Sequence, residues 1–106
     1  MQNLNLSEIV LPNTSNVVDY FKAGVLWILA GDNKPKVRRA EKDEKSTFDD
    51  KKVIERIAAA VPGQNSYLMD LTIKSNINEY VIFGSKYTLE EKVSKVADSI
   101  ASFVIA

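Results

Sequence analysis

The stretch Val17-Val18-Asp19-Tyr20-Phe21-Lys22-Ala23-Gly24-Val25-Leu26-Trp27-Ile28-Leu29-Ala30-Gly31 decides the fold, because it reads two ways. Val18, Phe21, Val25 and Ile28 recur at helical spacing, which would make one helix to Ala30, ended by Gly31. Residues 25–30 are equally a continuous apolar run between Gly24 and Gly31, the form a buried strand takes. The β-branched and aromatic content and the two bounding glycines favour a short helix to about Lys22, then a strand.

Working outward, Glu8-Ile9-Val10-Leu11 has the makings of a short strand, stopped by Pro12 and the polar run at 13–16. Asn16 is placed to cap the helix, with Asp19 in its first turn, where a carboxylate suits the positive end of the helix dipole. On the other side, residues 31–34 read as a turn and 36–40 as a returning edge strand. The charge-rich segment 41–45 reads as an exposed loop. A second helix follows, with Ser46 and Thr47 before Asp49 and Asp50 at capping-box spacing. Its apolar stripe is Val53, Ile54, Ile57 and Val61, and Pro62-Gly63 ends it. Alternation at Tyr67, Met69, Leu71 and Ile73, then the apolar run 80–83, predict a β-hairpin. Thr88 and Glu91 open a last helix carrying Leu89, Val93, Val96, Ala97, Ile100, Phe103 and Val104 at helical intervals.

The expectation is therefore one α+β domain over residues 1–106, in the order α-β-β-α-β-β-α after a short first strand. Its antiparallel sheet would have about four strands in two hairpins, covered by amphipathic helices. That order resembles roadblock and longin-type modules, a likeness of fold that implies a dimeric adaptor. A shorter fragment, Tyr20, Ala23, Gly24, Val25 and Trp27 after Glu8-Ile9-Val10, resembles part of the restriction-endonuclease-like fold. The second half of the chain does not match that fold, and the assignment is not adopted.

Composition narrows the chemistry further. The 106 residues hold 14 Lys+Arg and 14 Asp+Glu, with no His and no Cys. Imidazole and thiol chemistry are therefore excluded, and with them Cys/His zinc sites, disulfides and a Ser-His-Asp triad. Zero net charge removes the overall basic excess of a dedicated nucleic-acid binder. No apolar run approaches the roughly 20 residues that span a bilayer, and residues 1–6 lack the pattern of a secretory signal. A cytoplasmic location is the default expectation.

Several local features have a plainer explanation beside the functional one. The pairs Asp49-Asp50 and Glu90-Glu91 lie at helix starts, where capping accounts for them better than acid–base catalysis does. The triplets Asp43-Glu44-Lys45 and Glu90-Glu91-Lys92 spell part of a magnesium-nuclease motif, but a loop and a helix start are the wrong places for it. No catalytic, cofactor-binding or metal-ligating residue is assigned. The cations Lys34, Lys36, Arg38, Arg39, Lys42 and Lys45 form the most functional-looking cluster, and they are the candidate phosphate contacts of a nucleic-acid-associated protein. Glu41, Asp43 and Glu44 dilute them, and no aromatic residue lies among them to stack on bases. Trp27, Phe103 and Ile105 are candidate interface residues, Trp being common where binding energy concentrates. The leading expectation is a non-catalytic binding or regulatory module that acts through a protein surface as a homodimer. The nucleic-acid reading stands second and a metal-dependent nuclease-like enzyme third.

Overall fold

A computed structural model describes residues 6–61 and 86–105. Strand β1 (Glu8–Leu11) leads into helix α1 (Val17–Leu29), which returns to strand β2 (Lys36–Arg39). A 3-10 turn at Thr47–Asp49 precedes helix α2 (Lys51–Ala60). Helix α3 (Leu89–Ile100) runs into a second 3-10 turn at Ala101–Phe103.

The principal correction lies in α1. Residues 25–30 are not a strand: the helix continues to Leu29, and Gly31 follows in the left-handed conformation (φ 64°). The helix prevails over the local β-preference because α1 buries one broad side, which is not the expected stripe: of Val18, Phe21, Val25 and Ile28 only Val25 is fully buried. Tyr20, Ala23, Gly24, Val25, Leu26 and Leu29 all face the interior. Losing that strand removes the expected first hairpin. β2 pairs instead with β1, and a helix between two paired strands makes them parallel. The register sets Ile9 against Val37 and Leu11 against Arg39. The four-stranded antiparallel sheet is thus overturned in favour of a two-stranded parallel one among the described residues, in a small α+β fold. The likeness to roadblock and longin-type modules, which rested on two hairpins, goes with it. The hairpin expected at 67–83 lies outside the described residues.

Local chemistry explains the element ends. The Asn16 side chain accepts from the Asp19 N–H (3.1 Å), and the Asp19 carboxylate accepts from the Asn16 N–H (3.0 Å). Thr88 and Glu91 make the same reciprocal pair at α3, both at 3.1 Å. The start of α2 differs from expectation. Asp50 caps it through the Lys52 N–H (2.8 Å), while Thr47 opens the 3-10 turn before it. The Thr47 hydroxyl bonds across to the sheet instead. Its Oγ1 accepts the Val10 N–H at 2.8 Å, satisfying a donor on β1. The last turn of α1 has no basic residue of its own, and Lys34 supplies one from outside, donating to the Trp27 carbonyl (2.6 Å).

The core gathers Ile9 and Leu11 of β1, the inner side of α1, Phe48, Val53, Ile57, and Val93, Val96 and Ile100 of α3. α1 and α3 meet at Gly24. A Cβ there would lie 3.0 Å from Val96 Cγ1 and 3.3 Å from both the Ala97 nitrogen and Ile100 Cδ1. The missing side chain is what lets the two helices touch. At the other end, the Ile105 N–H donates to the Ala60 carbonyl (2.8 Å), tying the residues after α3 to the end of α2.

Candidate functional site

Two surfaces could act on other molecules. The first surrounds Arg38. Parallel pairing puts Glu8 and Arg38 on the same face of the sheet, two positions apart along the register. Arg38 Nε and Nη2 donate to the two Glu8 carboxylate oxygens (3.0 and 3.1 Å). Its Nη1 and Nη2 donate to the two oxygens of Glu44 (2.7 and 2.6 Å), and Nη1 also reaches the Arg39 carbonyl (3.3 Å). All five guanidinium N–H groups therefore have acceptors, four in two bidentate forks and the fifth on the Arg39 carbonyl. The guanidinium is the main cause holding both carboxyls below the usual range, with Glu44 down to about 2. The Glu41 N–H, which donates to Glu44 Oε1 at 2.9 Å, adds to that effect.

Glu44 arrives from the tight turn at 41–44. Its own N–H donates to the Glu41 carbonyl (3.0 Å), and Asp43 is left-handed (φ 68°), a conformation that Asp tolerates better than most residues. This turn forms one wall of a cleft of about 440 Å³, with Pro12, Asn13, Ala40 and Asp49 on the other sides. Among the described residues no group of acidic side chains is arranged to hold a metal ion.

The structure divides the six cations proposed as phosphate contacts. Arg39 donates to Ser15 Oγ (2.9 Å) and to the buried Tyr20 hydroxyl (2.7 Å), and Lys34 caps α1. With Arg38 doubly forked, three of the six are committed to the fold. Lys36, Lys42 and Lys45 are exposed, spread over a strand end and a loop. The cluster does not converge on one phosphate-binding face. The acidic pairs are likewise at helix starts, with Asp50 capping α2 and Glu91 capping α3.

The second surface is apolar and lies between α1 and α2. Phe48 and Ile57 floor a groove of about 220 Å³, rimmed by Lys22, Ile54 and Ala58. The Lys22 ammonium sits 5.8 Å from the centre of the Phe48 ring. Ile54 is 51% exposed, and Val18, one turn before Lys22 on α1, is 53% exposed. Of the expected interface residues, Ile105 is 50% exposed beside the end of α2, whereas Trp27 and Phe103 are half-buried against the core. Ile54 and Val18 escaped the sequence reading because both fit apolar stripes at helical spacing. A stripe in a short helix can be wider than the core it covers, and Ile54, immediately after Val53, is the position that overhangs.

No helix among the described residues is long and apolar enough to cross a membrane. Comparison of the chain with protein-family models, curated proteins and solved structures found no match.

Proposed function

We propose that the protein is a non-catalytic binding module that works through the apolar groove between α1 and α2, and that its partner is a second copy of itself. The observation that supports this reading most directly is Ile54, a large aliphatic side chain half exposed beside a groove whose floor is aromatic and aliphatic. Side chains of that size left in water beside a concave apolar surface mark association sites. A second copy is favoured because the chain carries equal numbers of cations and anions, so two copies meet without long-range repulsion. A chain without imidazole or thiol has few groups able to titrate or attack near neutral pH, which suits binding better than turnover. The same absence of cysteine is compatible with a reducing cytoplasm.

Sedimentation equilibrium at micromolar concentration tests the reading. The wild-type protein should show a dimer-sized species, and Ile54→Asp should sediment as a monomer with its helical circular dichroism unchanged. A wild-type monomer throughout that range, or a dimer indifferent to Ile54→Asp and Val18→Asp alike, would overturn it.

A further inference from the structure

We propose that the second copy docks through the outer face of α2, which packs antiparallel against its own two-fold mate, and that Lys51 and Glu55 fix this orientation. The inference rests on the self-association proposed above and specifies its geometry. Lys51, Ile54, Glu55 and Ala58 stand at i, i+3, i+4 and i+7, so they form one stripe along α2. The stripe lies on the side away from Val53 and Ala60, which face the core, and all four of its residues are exposed. At its middle is the half-exposed Ile54. Ala58, at its end, also rims the apolar groove floored by Phe48 and Ile57.

Charge decides how two such stripes meet. A two-fold axis sets the same patch of both copies face to face. Were the helices parallel, lysine would lie on lysine and glutamate on glutamate. In an antiparallel pair with the axis between Ile54 and Glu55, Lys51 of one copy lies over Ala58 of the other, and Ile54 over Glu55. Lys51 and Glu55 of opposite copies are then three residues apart along the axis, about 4.5 Å, which their long side chains bridge. Neither makes an ion pair within its own chain among the described residues, so both charges are available to be matched across the interface. Ala58 has the smallest side chain of the four, and it gives Ile54 of the second copy access to the groove. The two ion pairs flank this apolar contact, where they set orientation more than affinity.

Sedimentation equilibrium of the full chain at low salt separates this arrangement from self-association as such. Lys51→Glu and Glu55→Lys each turn both ion pairs into like-charge contacts. Each should raise the dimer dissociation constant about tenfold, the scale of two reversed exposed pairs, with helical circular dichroism unchanged. The weakening should shrink in 1 M salt, on the order of a 3 Å screening length. Mixed in equal amounts, the two single variants should form a heterodimer of near wild-type strength, because each supplies the charge the other lacks. The double variant Lys51→Glu/Glu55→Lys should dimerise like the wild type. In a parallel pair the single variants would be no weaker than the wild type, and their mixture would be tighter than it; that result would overturn the proposal. So would a wild-type dimer broken by Ile54→Asp yet indifferent to both charge variants, or weakened by both and not rescued by mixing, and self-association would then still stand. A wild-type monomer would remove both.

Discussion

Replacing Gly24 with alanine tests the packing of the two longest described helices. Gly24 has no positive φ, so its role is to provide space. An exposed glycine in a helix gains about 1 kcal/mol on replacement by alanine. Here the added methyl would press on Val96 Cγ1 at 3.0 Å and on the Ala97 backbone nitrogen at 3.3 Å. Val96 and Ile100 are fully buried, so neither side chain has solvent to move into. Overpacking of this kind costs about 1–3 kcal/mol, and the net change for Gly24→Ala is a loss of roughly 0–2 kcal/mol. With a slope near 1 kcal/mol per molar urea, the midpoint should fall by about 1 M, read from the fluorescence of Trp27, the only tryptophan. Val96→Ala alone should cost about 2 kcal/mol through the cavity it leaves. In that background the cost of Gly24→Ala should vanish or reverse, a coupling of about 1 kcal/mol or more. If Gly24→Ala stabilises the wild type by the full helix-propensity gain and shows no coupling to Val96→Ala, the close approach of α1 and α3 is wrong.

Further outcomes follow from other contacts. Thr47→Ala should cost about 1–3 kcal/mol in urea unfolding, because the Val10 N–H would lose its acceptor at a buried position, whereas Thr47→Ser should cost less. The Glu44 carboxyl, followed by carbon-13 NMR, should titrate near 2 in the wild type and move back toward 4.5 in Arg38→Gln. Since its folded value lies below its unfolded one, the ion pair contributes fully above about pH 4.5, and that contribution is lost as pH falls through about 2. Asn16→Ala should lower stability by about 1 kcal/mol in thermal or urea unfolding, since it removes half of the reciprocal cap of α1.

Much of the local structure was legible in the residues. β1 at 8–11, the caps at Asn16 and at Thr88 with Glu91, the buried stripe of α3 and the exposed 41–45 loop all follow from side-chain chemistry acting over a few positions. The failures are non-local. Residues 25–30 have a strand's composition, and they are helical because Val25, Leu26 and Leu29 join Tyr20, Ala23 and Gly24 on the buried side of α1, against elements distant in the chain. Thr47 reads as a helix cap until Val10 comes within reach of its hydroxyl. The partners of Arg38 illustrate both cases. Glu44 is six positions away and within sight of a sequence reading, but Glu8 is thirty away and meets Arg38 only because the strands are parallel. Basic residues counted as a phosphate-binding cluster were counted without their acceptors.

The crossover from β1 to β2 has a consequence for how the chain tolerates insertions and deletions. In a hairpin a turn sets which residues of the two strands stand opposite, and extra residues can loop out at its tip. Here α1 acts as a ruler between the strands. One residue added within it would advance the remainder by about 1.5 Å and rotate it by about 100°. An insertion before Gly24 would swing the gap it provides away from Val96, and the carbonyl that Lys34 seals would turn with it. Length variation in this molecule therefore belongs in its connecting turns, and the helix between the paired strands is fixed in residue count as much as in composition.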